Sequence, residues 1–194
     1  LDLKPRFNAV NVDTKPIIET IESGVESVTW EFKSILPIKM EPHGPHSTLL
    51  LPHIEAAPTQ FSYEGYEGTM ENWNQFGLWM QSLNKGRRQL PEETKQKIKQ
   101  LTDGLSTPEE KIKAIYEYMQ NKTRYVSIQL GIGGFQPFEA SVVDETGYGD
   151  CKALSNYMVS MLELVGIKSN YVLIMAGENA APMNTGFTRS QFNH

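Results

Sequence analysis

The sequence holds one cysteine, Cys151, in 194 residues. That scarcity excludes a disulfide framework within the chain and any zinc cluster built from several thiolates. An unpaired cysteine reads by default as a small buried hydrophobe, so any chemistry at Cys151 must come from its neighbours. No apolar run approaches the roughly 20 residues that span a bilayer, and the sequence does not read as membrane-spanning. Positive charge is not in excess either: 18 Lys and Arg stand against 23 Asp and Glu, a net charge of −5 without a basic stripe. Nucleic acid is therefore not an expected partner, and the short cluster Lys85-Gly86-Arg87-Arg88 reads as a solvated turn. No signal-like segment opens the sequence, because Leu1 to Val10 carries Asp2, Lys4, Pro5 and Arg6 without an apolar stretch. Position 1 is not Met, which reads as a missing natural N-terminus, so the compartment is open; the Pro-rich start fits a periplasmic or cell-envelope setting.

Histidine is also scarce, with four copies. His43, His46 and His53 lie in a stretch punctuated by Pro37, Pro42, Pro45, Pro52 and Pro58. They can be drawn as a metal site, but no carboxylate is placed to complete it. They read as exposed loop histidines, and neither metal nor organic cofactor is expected. His194 stands apart, after the apolar Phe192.

What is present divides the sequence in two. Glu26 to Lys33 alternates, with Val28, Trp30 and Phe32 on one side, which predicts a half-buried strand. Leu49-Leu50-Leu51 is a candidate short strand in the Pro-rich stretch that follows. After Gly65 the period becomes helical. Trp73, Phe76, Met80 and Leu83 share a face, with Thr69 as candidate N-cap. Pro91 starts a second helix at its first position and Gly104 ends it. Thr107-Pro108-Glu109-Glu110 is a capping box, and Ile112, Ile115, Tyr116 and Met119 are the stripe behind it. Arg124 to Gln129 reads as a strand and Gly131 to Gly134 as a tight turn. Leu154, Met158, Met161, Leu162 and Val165 form the buried stripe of a helix beginning at Cys151 and closed by Gly166. Tyr171 to Met175 predicts a buried strand, and Gly177 to Asn193 a mobile loop.

The chemistry gathers at Thr146-Gly147-Tyr148-Gly149-Asp150-Cys151-Lys152-Ala153-Leu154. Two glycines allow a sharp turn into a helix, which puts Cys151 in its first turn. Unpaired N–H groups and the positive end of the helix dipole favour an anion there, and a thiolate is one. The same N–H groups can receive an oxyanion developing on a carbonyl. Lys152 adds positive charge nearby or lies in solvent. The bland reading is a helix capped by Asp150 whose first buried residue is Cys151. The nucleophile reading needs a base, and His194 stands where another strand should open beside this helix.

Tyr148, Gly149, Asp150, Cys151 and Lys152, with the helix after them, resemble the nucleophile motif of the transglutaminase-like superfamily, relatives of papain-type cysteine peptidases. Leu90 to Thr94, Arg124 to Ile128 and Gly131 to Pro137 are similar to its bacterial branch, in which a β-sandwich domain precedes the transglutaminase-like core. The resemblance implies an α+β, papain-like core of helices on an antiparallel sheet, residues 66–194, incomplete at its C-terminus. Residues 1–65 would be the end of the β-sandwich domain and its linker. It implies a Cys-His-Asp triad in which Cys151 is the nucleophile and His194 the base, 43 residues on; the Asp would lie on a strand beyond the last residue. An oxyanion donor is expected upstream, with Gln136 the first candidate and Gln129 and Tyr125 the others. At Ala153 relatives often carry Asp. The implied activity is cysteine-dependent acyl transfer on amide bonds of a protein or peptide, hydrolysis before transamidation, with the fragment itself inactive. The rival reading is a non-catalytic scaffold or peptide-binding domain of the cell envelope.

Overall fold

The computed structural model describes residues 4–22, 24–178 and 180–194. Leu1 to Leu3, and Asn179 of the expected loop, lie outside the described residues. The fold is α+β: short antiparallel strand pairs precede a cluster of helices.

Strand β1 (Pro5–Val10) pairs with β4 (His53–Pro58), β2 (Ile17–Glu22) with β3 (Val25–Thr29), and β5 (Gln60–Tyr63) with β6 (Tyr66–Thr69), all antiparallel. The alternating stretch therefore stops as a strand at Thr29. Trp30 still packs, its ring 5.1 Å from that of Phe7, but Phe32 is exposed. Leu49 and Leu50 belong to a single helical turn, α1 (Ser47–Leu50), rather than a strand; the His46 side chain caps it by accepting the Thr48 amide.

The helices follow local signals closely. Asn72, not Thr69, caps α2 (Trp73–Asn84) by accepting the Gln75 amide; Thr69 is still in β6. Pro91 sits one residue earlier than expected, at the N-cap of α3 (Glu92–Thr102), and Gly104 follows the helix with φ +77°. The capping box of α4 (Pro108–Lys122) forms: Thr107 accepts the Glu110 amide at 3.2 Å and Glu110 accepts the Thr107 amide at 3.0 Å. The buried face of α4 runs through Ile115, Tyr118 and Met119, whereas Ile112 and Tyr116 are exposed. α5 (Ala140–Thr146) and α6 (Cys151–Leu164) complete the cluster.

One core joins Ile98 of α3, Ile115 of α4, Val143 of α5 and Tyr157 and Met161 of α6, all fully buried. A second core surrounds α2, where Phe76, Trp79, Met80 and Leu83 meet Met70 and Phe187. Trp79 stacks on Phe76 and meets Phe61 of β5 edge-on at 4.9 Å, which fastens the β5–β6 hairpin to the helices. Between the helices, Asp144 Oδ1 accepts three hydrogen bonds: from Lys122 Nζ at 2.5 Å, Tyr157 OH at 2.6 Å and Thr94 Oγ1 at 2.8 Å. A single carboxylate oxygen thus ties α3, α4, α5 and α6 together. Burial alone would raise the pKa of Asp144, but the donors Lys122, Tyr157 and Thr94 together bring it below its ordinary value. Burial and the Asp144 charge push the Tyr157 phenol up.

Three expectations fail on long-range contacts. Arg87 is not in a solvated turn: its carbonyl accepts the Ala140 amide at 2.9 Å and Asn156 Nδ2 at 2.7 Å, while Arg88 pairs with Glu163. The segment after Gly177 is pinned to the β-rich start. Arg6 donates to the carbonyls of Met70 and Thr188 and lies over the Phe187 ring. Buried Glu55 accepts Arg189 at 2.9 Å and Asn184 at 2.6 Å. Tyr171 to Met175 is not a buried strand: Val172, Ile174 and Met175 are exposed, and among the described residues Ile174 finds its backbone partners in Asn193 and His194. Arg124 to Gln129 shortens to β7 (Arg124–Tyr125), which pairs in parallel with β8 (Tyr148–Gly149).

Candidate active site

The turn into α6 is made by the two glycines. Gly147 ends α5 in the left-handed conformation, φ +71°, and its amide bonds Val143 O at 2.9 Å. Gly149 lies so close to α6 that a Cβ would sit 3.1 Å from Ala153 and 3.2 Å from Leu154. A larger residue there would push the start of α6 away from β8.

Asp150 is the N-cap, its Oδ1 accepting the Ala153 amide at 2.9 Å. Cys151 is the first residue of α6 and partly exposed. The Cys151 and Lys152 amides precede the helix's own hydrogen-bond ladder and lie at the positive end of its dipole. Lys152 is not in solvent. Its side chain is 7% exposed and forms an ion pair with Asp150, itself 3% exposed. The capping carboxylate is thereby ion-paired beside the cysteine rather than left as a bare negative charge at the helix start.

Cys151 opens on a cavity of about 480 Å³ whose walls include Lys152, Gln129, Phe135, Asn193 and His194. The cysteine and the sequence-predicted base therefore face one space. His194 is held by its backbone: its amide and that of Asn193 donate to Ile174 O at 3.0 and 3.1 Å, and its carbonyl accepts the Ile174 amide at 2.7 Å. His194 thereby exchanges both backbone hydrogen bonds with Ile174, and neither residue belongs to a strand. Its ring Nδ1 lies 3.3 Å from Asn193 Oδ1. The Asn193 amide is itself fixed, accepting the Ala176 N–H at 2.7 Å and donating to Ala176 O at 2.9 Å.

Gln136 is not on the cavity wall. Its Nε2 donates to Leu83 O at 3.3 Å and to Tyr66 OH at 3.4 Å. Gln129, the second candidate, is on the wall, whereas Tyr125 and Tyr148 are exposed on β7 and β8. Sequence reasoning missed Lys152 as a buried partner and Asn193 as the contact of His194. The adjacency of Asp150 and Lys152 carried the first signal, and no local pattern carried the second. Tyr171 lies close enough to feel the site: burial, then the negative charges of Cys151 and Asp150, push its phenol up and keep it an O–H. Among the described residues, no three His, Cys, Asp or Glu side chains gather to hold a metal ion. No helix of the described residues is long and apolar enough to cross a membrane.

The α+β fold thus sets a cysteine at a capped helix start and a downstream histidine on the wall of one cavity. The sequence model of the transglutaminase-like superfamily matches residues 95–192, half of the chain. The chain belongs to that superfamily. No curated protein is significantly similar to it in sequence. Among solved structures, that of a "putative protease" from Parabacteroides distasonis superposes with a TM-score of 0.58 at 18% identity, over 96% of this chain and 34% of that protein. The chain thus spans about a third of that relative's length, and the likeness is one of fold.

Proposed function

We propose that Cys151 is the nucleophile, and His194 the base, of an acyl-transfer site acting on amide bonds of proteins or peptides. The observation that carries this reading is the shared cavity, whose wall includes both the cysteine at the helix start and the one histidine outside the β-rich start. In the proposed reaction His194 takes the Cys151 proton and the sulfur forms a bond to the substrate's carbonyl carbon. The developing oxyanion is received by the first-turn amides of α6, with Gln129 in place of Gln136 as the side-chain donor. The C–N bond breaks as His194 returns the proton to the leaving amine. Water then hydrolyses the thioester. Residues 66–194 would form this unit, and residues 1–65 the end of a preceding β-sandwich domain with its linker.

The ring partner of His194 is the neutral Asn193 amide, not a carboxylate. In the serine-protease triad, exchanging the orienting Asp for Asn costs about 10⁴ in turnover. The chain by itself is therefore expected to turn over amides very slowly, and an activated ester is the suitable test substrate. With p-nitrophenyl acetate, mass spectrometry is expected to find one acetyl group per chain, on Cys151, and none in Cys151→Ala. Acetyl groups spread over surface lysines, with Cys151 unmodified, would sink the nucleophile.

A further inference from the structure

A larger cavity, about 720 Å³, lies between α2 and residues 168–173. It meets the Cys151 cavity at Met80, Leu173 and Phe192, which line both. Trp73 and Phe76 continue its apolar wall, with Trp73 5.9 Å from Phe192 and fixed by a hydrogen bond to Thr185 O at 2.8 Å. Along the same helix, α2 also presents Asn74, Gly77, Gln81 and Asn84 to the cavity, at helical spacing. Asn84 is 7% exposed; its Nδ2 donates to Met80 O, but its Oδ1 has no partner among the described residues. Ser169 Oγ, across the cavity, has none either. A buried carbonyl oxygen without a donor is destabilising unless a ligand supplies one. Gly77 is equally unexplained by packing. A glycine inside a helix is destabilising relative to Ala, yet a Cβ there would touch nothing within 4 Å. The stripe offers amide donors and acceptors, and its glycine leaves room for a second backbone.

We propose that this cavity is a subsite for an extended peptide, whose backbone is bonded by the Asn74, Gln81 and Asn84 carboxamides while a large apolar or aromatic side chain sits against Trp73, Phe76 and Phe192. The proposal rests on the reading of Cys151 as nucleophile, because the shared walls then carry the peptide from the reacting amide into the subsite. It assigns the substrate class: peptides with a bulky apolar residue flanking the reacting one.

The test is binding of acetyl-Phe-Gln-Phe-amide, acetyl-Ala-Gln-Ala-amide and acetyl-Asp-Gln-Asp-amide to the full 194-residue chain by titration calorimetry. The Phe peptide is expected to bind at least tenfold tighter than either other, consistent with burial of an aromatic ring. Gly77→Trp, whose Cβ would meet nothing within 4 Å and whose ring would occupy the space in front of α2, is expected to lose at least tenfold of that affinity. Asn84→Leu is expected to weaken it as well; should that variant misfold, Gly77→Trp carries the test alone. Equal affinity for the three peptides, no binding, or unchanged affinity in Gly77→Trp would overturn the subsite. Since binding needs no chemistry, a subsite that fails while Cys151 still takes acetyl leaves the nucleophile standing. A Phe preference with an inert Cys151 supports the subsite and rejects the nucleophile.

Discussion

Alanine in place of His194 is expected to slow acetylation of Cys151 by p-nitrophenyl acetate by about 10²–10⁴, the range of a positioned general base. His43, His46 and His53 cannot substitute. None lines the Cys151 cavity, and His46 is committed to capping α1 and His53 to β4. The helix start persists in this variant, because Asp150, Lys152 and the first-turn amides are unchanged. Acetylation therefore slows without stopping, and added imidazole should restore part of the rate by entering the vacated space. Cys151→Ala differs: it removes the bond-forming atom, and no imidazole restores it. An unchanged rate in His194→Ala would show that the shared cavity places the two side chains together without coupling them.

Asp144→Ala should produce the largest loss of stability, about 3 kcal/mol, seen as a lower urea midpoint. The figure stands at the low end for a broken buried pair, since Lys122 keeps 27% of its side chain in solvent, where water screens it. The substitution removes the shared acceptor of three donors at once: Lys122, Tyr157 and Thr94. Asp144→Asn retains an oxygen for Tyr157 and Thr94 but leaves Lys122 unneutralised, so it should cost less. Asp144 has a folded pKa below its ordinary 3.8. Its contribution is present above about pH 4 and lost as pH falls through the folded value. The Lys122 pKa is raised, the Asp144 hydrogen bond and charge outweighing burial, so its contribution holds below about pH 10 and is lost as pH rises above that. In Asp144→Ala both margins should flatten. A loss below about 1 kcal/mol would mean that apolar packing around Ile98, Ile115 and Met161 holds the four helices without the carboxylate.

The helix carrying Cys151 was legible because its signals are local. Two glycines, a capping Asp and an apolar stripe from Leu154 to Val165 lie within a stretch that one helix start explains. The Thr107 capping box was legible for the same reason. What was not legible depends on distant partners. Gly177 to Asn193 has the composition of a free loop, yet Arg6 and Glu55 hold it across most of the chain's length. Lys152 reads as solvated until the fold encloses it with Asp150. The sequence puts Gln136 ahead of Gln129, but with the 3-10 turn at Gly131–Gly134 between them, Gln136 reaches Leu83 and Gln129 the cavity wall. Tyr171 to Met175 has strand composition, but composition cannot supply the neighbouring strand that would bury it.

The most direct measurement is the rate of alkylation of Cys151 by iodoacetamide at pH 6, set against N-acetylcysteine under the same conditions. Iodoacetamide is small and needs neither the peptide subsite nor an oriented base, so it reports only whether the helix start favours a thiolate on an accessible sulfur. Reaction at least tenfold faster than the free thiol is the expected result. A rate equal to or below that of the free thiol would make Cys151 part of the packing, and the transglutaminase-like fold would then stand here without its chemistry.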